Sequence, residues 1–204
     1  MGQRGPAHGD RPLNLFVGAA TLEQLNITPV RHVAFLRAVN VGKRRAPSAQ
    51  LVGAVQGLGY EDVWTYINSG NVVFEASGRP SALEPELEAA FEAELGFEAT
   101  TFVRTAVKLR LTVAAEPFTV ADNHTHFITF LKKKPTAEQR DALEGLSNDF
   151  DTLVVVDSDV HWLMRGRSTA SLLRTKDWDK IVGSHRSTSR NVRMLRRLVE
   201  KLNR

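Results

Sequence analysis

Apolar residues recur with two different periods along this chain, and the switches between them predict its elements. "HVAFLRAVNV" (32–41) sets Val33, Phe35, Val39 and Val41 among Ala34, Leu36 and Ala38, which makes both faces of the pleat apolar and predicts a central strand. From Pro47 and Ser48 the spacing changes to Leu51, Val55 and Leu58, a helix over about 48–58 that stops at Gly57 and Gly59. "EDVWTYI" and "NVVFEA" are β-branched and aromatic and flank the small polar residues Asn68, Ser69, Gly70 and Asn71, so they predict a hairpin. In "SALEPELEAAFEAELGF" Leu83, Leu87, Phe91 and Leu95 share one helical face with glutamates opposite, and Gly96 ends the helix. "EATTFVRT" closes this unit as a further strand.

A helix at about 105–115 and a loop at Pro117 lead to a second series. "HFITFLKK" predicts a strand, "TAEQRDALEGL" a helix capped by Thr136, and "TLVVVDSDVHWLMR" a hairpin turning at Asp157-Ser158-Asp159. A helix from about 168, a loop over 183–189 and a terminal helix to about 202 complete the chain. The βαββα order thus appears twice without close residue identity, so the expected fold is α+β with two halves, 30–116 and 117–204, the second ending in a basic helix. Residues 1–29 open with "MGQRGPAHGDRP", rich in glycine, proline and charge, and are expected to be a weakly ordered extension.

Composition narrows the classes. At 204 residues, 42% hydrophobic and 25% charged, the chain has the make-up of a folded protein. The absence of cysteine excludes disulfides, thiolate metal sites and cysteine nucleophiles, and it fits a cytoplasmic location. No apolar run approaches the roughly 18 residues of a membrane span, and "LNLFVGAA" (13–20) is too short and too interrupted for a secretion signal, so no membrane partner is expected. The net charge of +4 is unevenly spread. Residues 31–45 hold five cations and no carboxylate, 84–94 hold five glutamates, and the tail from Arg186 is basic again. The last helix either lines a polyanion groove or neutralises the acidic helix.

Candidate chemistry concentrates in the first half. Arg37 interrupts an otherwise apolar strand, and a guanidinium there needs a carboxylate, a solvent edge or a ligand. "NVGKRR" follows that strand and precedes a helix, so Asn40, Lys43 and Arg44 form either a solvated turn or an anion site; its spacing is not that of a nucleotide-binding P-loop. Asn68, Ser69 and Asn71 either satisfy their own turn or orient a ligand. His124 and His126 lack an acidic cluster and read as strand surface residues, Asp157 and Asp159 as a turn, and no nucleophile elbow is present, so no metal or cofactor is expected.

"HVAFLRAVNVGKRR" together with "VWTYINSGNVVFE" resembles the DUF1697 family of bacterial proteins, whose function is uncharacterised, and "STSRNVRML" is similar to a motif near that family's C-terminus. Val192 and Lys43 depart from the family's usual tryptophan and glycine. The resemblance covers about 31–200 and implies two α+β halves of ferredoxin-like character. It also implies a natural start near Val30, with residues 1–29 as an addition.

The first functional reading is a protein that binds a phosphate-bearing ligand or nucleic acid. Arg37, Asn40, Lys43 and Arg44 would contact the anion, Asn68, Ser69 and Asn71 would orient it, and Arg190 and Asn191 would complete the site from the second half. The rival is an enzyme acting on a small phosphorylated or carboxylated metabolite, with Arg37 stabilising charge and Tyr66 or a carboxylate moving protons. A third reading is a protein–protein interaction module. The sequence sets no oligomeric state.

Overall fold

The computed structural model describes Met1 and residues 28–67 and 70–203. The extension expected over 1–29 lies almost wholly outside the described residues, as do Asn68 and Ser69 at the hairpin tip.

Strands β1 (Val30–Leu36), β2 (Glu61–Thr65), β3 (Asn71–Ala76) and β4 (Thr101–Thr105) form one antiparallel sheet in the order β2-β3-β1-β4. Helices α1 (Ser48–Gly57) and α2 (Pro80–Leu95) are its crossovers, and α3 (Ala106–Ala114) follows it. Strands β5 (Thr125–Leu131), β6 (Asp151–Val156), β7 (Asp159–Met164) and β8 (Ser187–Asn191) form a second antiparallel sheet in the order β6-β7-β5-β8, with α4 (Ala137–Glu144) and α5 (Thr175–Val182) as crossovers. Helix α6 (Val192–Leu202) follows that sheet. The fold is α+β, and the same strand order occurs twice.

Each sheet covers a core with its own helices. Ala34, Leu36, Val72 and Phe74 pack with Leu51, Val55, Leu87 and Phe91 of α1 and α2. Leu153, Val155 and Val160 pack with Leu143 of α4 and Trp178 of α5. A third core joins the halves: Val33, Phe35 and Val73 of the first sheet, Ile128 and Phe130 of the second, and Leu109, Leu195 and Leu198 of α3 and α6. The Phe35 and Phe130 rings stack at 4.3 Å there, a contact worth about 1 kcal/mol beyond its buried area. Strand β1 reads apolar on both faces because alternate residues fill two different cores.

Three sequence expectations are corrected. Strand β1 ends at Leu36, not Val41. Leu36 N–H still donates to Gly70 O and Arg37 N–H to Thr100 O, after which Ala38 turns the chain at φ 53° and Val39 folds back into the first core. An apolar run cannot distinguish a strand from a loop that returns to the core. The helix expected from 168 is a single 3-10 turn at Ser168–Ala170, and α5 begins at Thr175. The loop expected over 183–189 gives way at Ser187 to β8, an edge strand that pairs with β5 by its backbone and buries only Thr188, so it lacks apolar alternation.

The acidic face of α2 is likewise not all solvated, and the basic last helix is not its described partner. Glu84 is buried and accepts from Val103 N–H at 2.9 Å, while Glu88 accepts from Thr101 N–H at 2.8 Å, so both satisfy amides of edge strand β4. Lys132 from the second half pairs with both, at 2.9 and 2.7 Å.

Gly70 occupies φ 69°, and a Cβ there would lie 2.7 Å from Val39 Cγ2 and 3.1 Å from Leu36 Cβ. Gly70→Ala should therefore lower the unfolding free energy by roughly 2–4 kcal/mol in urea denaturation. Adding Val39→Ala should recover part of the steric component, and strict additivity of the two losses would count against this contact.

Candidate functional site

A cavity of about 280 Å³ lies where the end of β1 meets the second half. Arg37 and Ala38 wall it from the first half, and Trp162, Arg174, Thr175, Trp178 and Ser187–Ser189 from the second. No carboxylate lines it, whereas two guanidinium groups do. The Arg37 guanidinium makes no hydrogen bond or ion pair with a described residue. Arg174 is partly engaged, donating to the Ser171 and Leu173 carbonyls. Trp162 Nε1 donates to Asp151 at 2.8 Å, which fixes an indole that is only half-buried. Ala38 holds its left-handed backbone in this wall at a cost of about 1 kcal/mol, and such strain persists only where surrounding contacts over-determine it.

The contact that brings these walls together is Arg190 on β8. Its Nε donates to Asn71 Oδ1 at 2.7 Å, Nη1 to Thr188 Oγ1 and Ser189 O at 3.0 Å each, and Nη2 to Leu36 O at 2.7 Å and Gly70 O at 3.3 Å. These bonds account for all five guanidinium donors. The cation also lies 5.6 Å from the Phe35 ring centroid. Desolvation pushes its pKa down to about 10, which leaves it charged at neutral pH. Asn71 is fully buried and donates in turn to Tyr66 O at 2.9 Å. Asn71 and Arg190, both expected site residues, are thus brought together, but as a joint between the halves; neither lines the Arg37 cavity.

The other expected residues are dispersed. Asn40 Oδ1 accepts from Ala46 N–H at 3.0 Å, Arg44 lies over the Phe97 ring at 5.0 Å, and Lys43 is exposed; none of them lines the cavity. Tyr66 packs against the shared core with Lys201 5.9 Å from its ring centroid. Asn191 caps α6 by accepting from Arg193 N–H at 2.9 Å. Asn68 and Ser69 lie outside the described residues. Sequence reasoning missed Trp162 on β7, Arg174 and Trp178 at and on α5, and Thr188 on β8, three elements that the linear sequence does not connect. The only available signal was two tryptophans in a chain that has three.

His126, read as a surface residue, is buried beside His161, with Nε2 and Nδ1 3.1 Å apart. Burial pushes both below the usual histidine value, His126 to about 4, with the neighbouring ring and Arg196 adding to its shift. Among the described residues no group of three or more metal-ligating side chains forms a metal site, and no helix is long and apolar enough to cross a membrane.

The family model described as "Protein of unknown function (DUF1697)" matches residues 30–161. No curated protein matches the chain. Among solved structures, "The structure of conserved bacterial protein SP0830 from Streptococcus pneumoniae" is similar, with a TM-score of 0.66 and 18% identity over 87% of this chain and 100% of that one. At that identity the likeness speaks for the fold alone.

Two outcomes follow from the joint and the histidine pair. Arg190→Met should lose roughly 3 kcal/mol in urea denaturation, because Asn71 Oδ1 and the Leu36 carbonyl lose a charged donor in a buried setting; an unchanged midpoint would remove the joint. Both histidines bind protons more readily when unfolded, so stability should be full above pH 6.5 and fall as pH drops towards about 4. His126→Phe should flatten that slope in the same measurement.

Proposed function

We propose, for a chain that belongs to the DUF1697 family, that the Arg37 cavity binds a phosphate-bearing ligand. The supporting observation is an arginine with no described partner, in an acid-free cavity that a second arginine and several hydroxyl-bearing residues also line. An arginine fork complements the oxygens of a phosphate, and partial desolvation strengthens that interaction. The volume is at the small end of ligand sites, which suits one phosphate and the group that carries it. Asn40, Arg44, Asn71 and Asn191 hold structure in this reading, and Lys43 is exposed outside the cavity lining. The enzyme alternative has less support, because no carboxylate, histidine or tyrosine lines the cavity and Tyr66 packs elsewhere.

We further read residues 30–116 and 117–204 as two ferredoxin-like subdomains; the recurrence of one strand order in each supports this. The absence of cysteine supports a cytoplasmic location.

Inorganic phosphate should raise the melting temperature of the protein in a saturable way, and Arg37→Ala should abolish the rise while leaving the ligand-free melting temperature near that of the parent. An unchanged phosphate response in Arg37→Ala would refute the site.

A further inference from the structure

The Arg37 cavity has a counterpart at the opposite end of α5. The first is walled by Leu173, Arg174 and Thr175 at the start of that helix. The second, of about 330 Å³, is walled by Val182 at its end, by Lys132, Lys133 and Lys134 after β5, and by Arg186 before β8. It too has no carboxylate in its lining. Lys132 is neutralised by Glu84 and Glu88, and Lys134 pairs with Asp157 at 2.9 Å. Lys133 and Arg186 are exposed, and their side chains make no hydrogen bond or ion pair with a described residue. Three unengaged cations, Arg37, Lys133 and Arg186, therefore mark the two ends of an eight-residue helix, about 12 Å apart at 1.5 Å per residue.

A single phosphate occupies one cavity and leaves the other cations unused, whereas a chain of phosphates reaches both. We infer that the ligand is single-stranded nucleic acid, laid along α5 and β8 with phosphates at both cavities and one base in the Arg37 cavity. The inference rests on the phosphate reading of that cavity and adds the identity of the polymer.

The aromatic lining of that cavity favours nucleic acid over inorganic polyphosphate or an acidic peptide. Half-buried Trp162 lines the cavity that holds Arg37, backed at 5.5 Å by the buried Trp178 ring, and an indole face accepts any base by stacking. Inorganic polyphosphate has no planar ring for that space, and an acidic peptide offers carboxylates in place of the phosphates read for that cavity. Single strands are favoured over duplex because the aromatic wall is recessed beside edge strand β8, and a paired base cannot leave its stack to enter without added cost.

The test compares a labelled short oligothymidylate with thymidine monophosphate by fluorescence anisotropy and competition. The oligomer should bind at least about tenfold more tightly than the monomer, with the affinity falling steeply as salt rises. Lys133→Ala with Arg186→Ala alters only exposed side chains. It should weaken the oligomer about tenfold and reduce the salt slope by about 1.4, while leaving monophosphate binding unchanged. Trp162→Phe should retain part of the oligomer affinity and Trp162→Ala less, with inorganic phosphate binding kept in both. Equal affinity for monomer and oligomer, equal competition by polyphosphate, or tighter binding of duplex would each overturn the inference and leave the phosphate site standing. Loss of every phosphate response, including that of inorganic phosphate, would overturn both.

Discussion

The arrangement depends on one desolvated guanidinium. Arg190 reaches from an edge strand of the second sheet to the carbonyl that ends β1 and to the side chain that begins β3, and its five donors are all engaged. A charge removed from water is tolerated only when its hydrogen-bonding capacity is met, so this side chain permits one relative placement of the two sheets. That placement sets Arg37, the residue after Leu36, beside Ser187–Ser189. The joint and the cavity are neighbours because both are built from the same turn of chain.

Apolar packing supplies the complementary constraint. Phe35 stacks on Phe130 across the interface, and α3 and α6 close the same core. Arg104 pairs with fully buried Asp159 at 2.6 Å and donates to Leu131 O, which ties β4 to β5 and β7. Lys132 reaches back to Glu84, Glu88 and the Thr101 carbonyl. Cations cross the joint in both directions and are met there by carbonyls or acids. Arg37, Lys133 and Arg186, at the ends of α5, have no such partner among the described residues.

The elements of the first half were legible because its strands and helices bury apolar side chains at periods of two and three to four residues. Leu83, Leu87 and Phe91 are the buried face of α2, as their spacing requires. Thr136 caps α4 as expected, accepting from Gln139 N–H at 3.2 Å. Strand β8 was not legible, because its order comes from backbone pairing with β5 and from polar bonds such as Thr129 Oγ1 to Ser189 Oγ. Arg37 was legible as a residue needing a partner, a solvent edge or a ligand, whereas nothing in the linear pattern showed that Asn71 and Arg190 would meet.

The chain by itself determined the element types, the doubled topology and the identity of the polar residues that could not be left alone in an apolar setting. These are local properties, written in periodicity and in the cost of burying an unpaired charge. The tertiary structure decided that Asn71 meets Arg190, 119 positions away, while Arg37 opens onto two tryptophans. Periodicity reports which face of an element is buried. Only the packing of one sheet against another settles which residues face each other across that interface.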